Sequence, residues 1–157
     1  MEIRSASLQD CPSITAMAVG FRNHLERSVP SDAQFQESIA RLLACEDAEF
    51  FIASEGDAPL GYVLQRYRYS MWASGNEATI EDLYVDPIAR KTGIGRRLIE
   101  FALRRAAERA CASVCLDTNE HNVASTRIYT QLGFNTVSKR WNGRQLFYRL
   151  NLEQVRA

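Results

Sequence analysis

Nothing in these 157 residues approaches the ~20 consecutive apolar residues that a membrane-spanning helix requires. The opening stretch, MEIRSASLQD, has no apolar signal core, so a cytoplasmic protein without a membrane partner is expected. An excess of one charge is also lacking, since 19 basic residues balance 19 acidic ones. A net charge of zero gives no global field toward nucleic acid or an anionic surface, so any anion site has to be local. Cysteine is sparse: Cys11, Cys45, Cys111 and Cys115 form no CxxC pair, and His24 and His121 lie far from them in sequence. That spacing offers no zinc signature, and no metal is expected. A chain with 46% hydrophobic residues can bury a core without disulfides, so these thiols are expected to be free. No internal repeat, low-complexity tract or linker interrupts residues 1–157, which reads as one domain.

What is present alternates between two periods. Residues 2–6 read as a strand. Asp10 is placed to cap a helix with Pro12 in its first turn and Ile14, Met17, Ala18, Phe21 and Leu25 on one face. Pro30 ends it, and Ser31 is placed to cap a second helix carrying Phe35, Ile39, Leu42 and Leu43. The period then drops to two. Residues 49–54 and 60–67 read as strands around the turn Gly56-Asp57-Ala58-Pro59, 71–77 as a loop, and 78–85 as a strand stopped by Pro87. From Gly93 onward Ile94, Leu98, Ala102 and Ala106 recur at helical spacing, opposite Arg97, Glu100, Arg104 and Glu108. Residues 113–117 form a further strand, 124–132 a helix closed by Gly133, and 134–141 with 145–152 a hairpin about Asn142-Gly143. The order β-α-α-β-β-β-α-β-α-β-β predicts a mixed α/β (α+β) fold with one parallel crossover through the Gly93 helix.

Residues 85–99, VDPIARKTGIGRRLI, carry a strand into that helix through two glycines and several basic residues. Backbone N–H groups at a helix start, with few side chains in the way, suit a phosphate. Two phosphate loops are excluded. No GxxxxGK[ST] is present, because Lys91-Thr92 precedes Gly93, and the third glycine of GxGxxG is missing after Gly95. Taken alone, Gly93 and Gly95 would serve equally well in a tight turn.

Context adds to them. Arg90-x-x-Gly93-x-Gly95 resembles the acetyl-CoA motif [QR]xxGx[GA] of the GNAT superfamily of N-acetyltransferases, and Asn122-x-x-Ser125-x-x-x-Tyr129-x-x-x-Gly133-Phe134 resembles its second signature, NxxAxxxYxxxGF. Ser125 stands where alanine is usual, a small-for-small change. The resemblance implies the GNAT fold: a central, mostly antiparallel sheet with a splayed parallel pair, flanked by about four helices. It also implies acetyl-CoA as the acyl donor, with coenzyme A as product. Backbone donors of Thr92, Gly93, Ile94, Gly95 and Arg96 are then expected on the pyrophosphate, with Arg90 and Lys91 adding charge. Leu83, Val85 and Asn122 join the coenzyme site, and Tyr129 stands near the sulfur as general acid.

Acetyl transfer to an amine requires a neutral nitrogen, so a base is needed. Glu81 is the first candidate and Asp82 the reserve, for proton removal or for cation binding. A regular strand would put Glu81, Leu83 and Val85 on one face and Asp82 and Tyr84 on the other, unless a bulge changes the parity. The stretch YRYSMWASG before IEDLYV resembles the spermidine/spermine (diamine) acetyltransferase branch, which implies a small primary amine as acceptor, with Tyr69, Trp72, Glu81 and Asp82 binding it. A homodimer is expected. A peptide acceptor and a non-catalytic acetyl-CoA sensor stay open as alternatives.

Overall fold

Strand β1 (Glu2–Ser5) lies antiparallel to β2 (Ala48–Glu55), which pairs in turn with β3 (Ala58–Ser70) and β3 with β4 (Gly75–Val85). Strand β5 (Ser113–Leu116) closes the five-stranded sheet, parallel to β4, and α3 (Ile94–Glu108) makes the crossover between them. This computed structural model describes residues 1–154, which fall into two compact units divided between Leu116 and Asp117. The second unit contains α4 (Val123–Gln131) and two short paired strands, β6 (Val137–Ser138) and β7 (Gly143–Arg144). The expected fold class, a mixed sheet with one parallel pair and four helices, is the one observed. No helix among the described residues is long and apolar enough to cross a membrane.

Two helices cover one sheet face. In α1 (Cys11–His24) the buried residues Ile14, Met17 and Ala18 recur at helical spacing and pack with Phe50, Ile52, Tyr62, Leu64 and Tyr84. In α2 (Asp32–Leu43), Ser31 is the cap expected, its Oγ accepting from the Gln34 N–H at 3.2 Å, and Gln34 makes the cap reciprocal, its Oε1 accepting from the Ser31 N–H at 2.8 Å. Asp10 does something else. It makes no cap bond to α1; its carboxylate instead accepts from the Arg4 guanidinium at 2.7 and 2.9 Å and from the Ser7 N–H at 2.8 Å. The opposite sheet face carries α3, where Leu98, Ile99 and Ala102 are fully buried and the Phe101 ring lies tilted against Phe51, 5.2 Å between centroids.

The central hairpin runs further than its apolar alternation. Ser70 pairs with Gly75, so the expected loop over 71–77 shrinks to 71–74, and Arg68 reaches Glu77 across the strands at 3.1 Å. Polar cross-strand pairs extend a ladder as well as apolar ones do. The terminal hairpin, by contrast, is far shorter than expected. Ser138 pairs with Gly143, so four residues, not two, connect the strands, and Asn142-Gly143 sits at the end of that connection. Trp141, Leu146, Phe147, Tyr148 and Leu150 are exposed. Alternation there is not matched by pairing within the described residues.

Candidate active site

The strand-to-helix passage is built as the glycine pair suggested. A single turn, Pro87–Ala89, is capped by Asp86, whose Oδ1 accepts from the Ile88 N–H at 3.0 Å. Lys91 then adopts φ 65° and Gly93 φ 86°, both left-handed, and Gly93 is the residue before α3. Having no side chain, Gly93 gives the helix start no side-chain cap, and no acidic residue stands in the first turn. The N–H groups of Gly93, Ile94 and Gly95 have no carbonyl one turn back, which is general to helix starts, and Arg96 and Arg97 beside them oppose the helix dipole. A helix start of this kind can take an anion. Its cations divide their roles. Arg90 Nε donates to the Val85 carbonyl at 3.1 Å and ties the loop to the strand end, while Arg96 pairs with Glu100 at 2.9 Å. Thr92 Oγ1 donates to the Ala89 carbonyl at 2.6 Å and braces the turn. Lys91 is exposed.

Strand β4 supplies the other half of the site. Its pairing with β5 ends at Ile80 opposite Leu116, yet β4 continues to Val85. Along that last stretch, which holds Leu83 and Val85, the edge toward β5 has no strand partner among the described residues. On the other edge Leu64 opposes Asp82 and Gln65 opposes Ile80, so Glu81 is the extra residue of a β-bulge. The bulge changes which way the carboxylates turn. Regular alternation would separate Glu81 from Asp82. Instead, Tyr62 Oη donates to Asp82 Oδ2 at 2.5 Å and Glu81 Oε2 stands 3.9 Å from Arg66 Nη1, and Tyr62 and Arg66 share one face of β3. Both carboxylates therefore reach the α1–α2 face.

Their surroundings differ. The Glu81 side chain is 44% exposed and its neighbour is a cation. Asp82 is half-buried: burial raises its pKa above the usual carboxylate range, against the lowering effects of the Tyr62 hydroxyl and the Leu83 N–H. Burial first, and then the charge and hydrogen bond of Asp82, push the Tyr62 phenol upward, so it stays a donor.

Other expected residues lie apart from these. Tyr69 pairs with Asn76 near the turn of the β3–β4 hairpin, and Trp72 lies in that turn, at the opposite end of β4 from Val85. Five positions separate Asn76 from Glu81, about 17 Å of strand, so the two aromatics stand along the hairpin from Glu81 and Asp82 rather than beside them. In the second unit Asn122 opens α4, and its Nδ2 donates to Thr118 Oγ1 at 3.3 Å. Tyr129 is buried, edge-on to Phe134 at 5.9 Å, and the Phe134 N–H donates to the Tyr129 carbonyl at 3.0 Å past Gly133 at φ 94°. The glycine and phenylalanine of the second signature thus close the helix over its tyrosine. Sequence reasoning missed Tyr62 and Arg66. The alternation Tyr62, Leu64, Arg66 on β3 was the available signal. Among the described residues no His, Cys, Asp and Glu cluster is suited to a metal.

The family described as the acetyltransferase (GNAT) family matches residues 18–134, on both sides of the unit boundary, and the chain belongs to it. An Escherichia coli ribosomal protein bS18 alanine N-acetyltransferase is 34% identical over 67 residues, 43% of this chain and 45% of that protein. A Saccharomyces cerevisiae D-amino-acid N-acetyltransferase is 33% identical over 86 residues, 55% of this chain and 53% of that protein. The chain spans about half the length of these curated relatives. A crystal structure from Arthrobacter sp. FB24, a putative acetyltransferase, superposes with a TM-score of 0.85 over 96% of each chain at 22% identity, a likeness of fold.

Proposed function

We propose that the chain is an N-acetyltransferase that moves the acetyl group of acetyl-CoA directly to the primary amine of a small molecule, with both units working as one catalytic domain. The observation that carries this reading is the coincidence at one place of a strand end without a partner on its β5 edge and a glycine-started helix without a side-chain cap. The unpaired edge around Leu83 and Val85 suits an extended amide-bearing arm, and the helix start suits a pyrophosphate. Acetyl-CoA has both.

In this reading the backbone of residues 92–96 holds the pyrophosphate, with Lys91 adding charge and Arg90 fixing the loop against Val85. The amine arrives as an ammonium, since alkylamines titrate near ~10.4, and a carboxylate must take its proton before nitrogen attacks. Glu81 is the first base and Asp82 the second, and the bulge supports either by turning both to one face. The Val85 N–H polarises the thioester oxygen and Tyr129 supplies a proton to the departing sulfur. The roles of Asn122 and Tyr129 rest on the motif that carries them. A diamine acceptor held by Tyr69 and Trp72 would have to reach along the hairpin from Glu81 within one chain; in a homodimer, also part of this reading, these exposed rings would face a second copy. A peptide acceptor is the second reading, favoured by the similarity to an alanine N-acetyltransferase acting on a ribosomal protein.

The test has two parts. Acetyl-CoA at about 100 times its dissociation constant should stabilise the protein by about 2.7 kcal/mol in a thermal shift, with ATP and NAD inert. Thiol release from acetyl-CoA should then depend on an added small amine. A shift with ATP and none with coenzyme A would sink the proposal.

A further inference from the structure

We infer that Arg66 binds a carboxylate of the acceptor, so that the preferred substrate is an amine with a carboxylate beside it, such as a free α-amino acid. This rests on the acetyl-transfer reading above. Arg66 sits on β3 opposite Thr79, on the face to which the bulge turns Glu81 and Asp82. Its guanidinium is loosely held. Nε donates to the Asp47 carbonyl at 3.3 Å, Nη2 reaches the Asp47 carboxylate at 3.4 and 3.5 Å, and Nη1 stands 3.9 Å from Glu81, beyond hydrogen-bond reach. Asp47 is itself 59% exposed, so that pair is open to exchange with a ligand.

A cation and an anion separated by 3.9 Å, with Nη1 making no short contact, match a zwitterion whose amine and carboxylate lie about 3 Å apart. The ammonium would meet Glu81, or Asp82 held by Tyr62, and the carboxylate would meet Nη1 together with Nη2, the latter in place of the Asp47 carboxylate. Arginine is the side chain suited to forked recognition of a carboxylate. A diamine fares worse here, because a second ammonium close to the first would face Arg66. A peptide N-terminus lacks the adjacent carboxylate.

The experiment measures thiol release from acetyl-CoA with matched sets: an α-amino acid, its methyl ester and the diamine of equal length, on wild type, Arg66→Gln and Arg66→Lys. The acid should exceed the ester in kcat/KM by roughly 10- to 100-fold in wild type. Arg66→Gln should bring that ratio near one, and Arg66→Lys should restore part of it. An unchanged acetyl-CoA thermal shift verifies that a variant is folded; if either variant fails it, the acid-to-ester ratio of wild type alone decides. Ester or diamine equal to or better than the acid in wild type overturns the inference and leaves the transfer reading standing. No thiol release with any amine, despite acetyl-CoA binding, overturns both.

Discussion

The two halves of β4 have the same composition type and opposite fates. As far as Ile80 the strand is inside the sheet: Glu77 to Ile80 pair with β5, and Ala78 and Ile80 are buried. Beyond Glu81 only the β3 edge is paired among the described residues, and the buried side chain is Tyr84, in the cluster under α1 and α2. One inserted residue makes the difference. It shifts the parity, so the burial pattern exchanges sheet faces, and it coincides with the end of the parallel ladder. A strand can thus be structural for its first half and serve a site with its second, without any loop between.

Substitutions on the second half should act on chemistry before stability. Glu81→Gln is expected to lower kcat by roughly 10²-fold or more at neutral pH if Glu81 is the base, with partial recovery at higher pH as free amine becomes available. If Glu81→Gln matches wild type between about pH 6 and 9 while Asp82→Asn does not, Asp82 holds that role. Thr79→Val, on the first half, should leave kcat within about twofold. Outside β4, Tyr129→Phe should cost roughly 10²–10⁴-fold in kcat with little change in acetyl-CoA affinity; equal turnover would remove Tyr129 from the reaction.

The same contrast can be sharpened with two glycines at the two ends of the β3–β4 ladder. At Gly61, opposite Val85, an added Cβ would lie 2.6 Å from the Tyr84 carbonyl oxygen and 3.3 Å from Leu98 Cδ1. Neither the strand nor the helix behind it can move independently, so Gly61→Ala should destabilise by about 1–3 kcal/mol. At Gly75 the first atom met is the Ala73 carbonyl oxygen at 3.8 Å, an ordinary contact. Gly75→Ala should change stability by about 0.5 kcal/mol or less. Urea midpoints compare them directly. Equal losses would mean that the two ends are packed alike.

Much of this was legible in the sequence because the informative residues act locally. The tight turn at Gly93, Ser31 as the cap of α2 and the α3 stripe of Leu98, Ala102 and Ala106 each follow from neighbours within a turn or two. Glu81 and Asp82 were found as candidates, but their common face was not, because a bulge depends on the partner strand. Arg66 stayed hidden for the same reason: its meaning comes from Glu81, fifteen residues away and across a ladder. Asp10 shows the limit of local rules, since a residue suited to cap α1 was claimed by Arg4 and Ser7. The terminal hairpin failed from the other side. Asn142-Gly143 is a strong turn signal, but Trp141, Phe147 and Leu150 are exposed, and a strand with an unburied apolar face gains little from pairing.

A pH dependence of opposite sign is expected at two carboxylates. The Arg4 guanidinium and the Ser7 N–H, working against burial, lower Asp10 to about 2, so its ionised form is favoured in the folded chain. Stability from that pair is present above the ordinary carboxylate range and lost as pH falls from about 4 toward 2. Asp82 is shifted the other way by burial, so the folded chain holds its proton more tightly than the unfolded chain does. Its protonated form contributes stability below about pH 4, and that contribution is lost as pH rises through the raised folded value. Asp10→Asn should therefore flatten the acid side of the stability curve by about 1 kcal/mol, discounted because Arg4 is partly exposed. Asp82→Asn should flatten the decline above pH 4 and leave the acid side alone, since the asparagine oxygen can still accept from Tyr62. Urea midpoints from about pH 2 to 8 at low salt separate the two. If Asp82→Asn instead lost stability at neutral pH as Asp10→Asn does, Asp82 would be a paired structural carboxylate, and Glu81 would be the one base left on that face of β4.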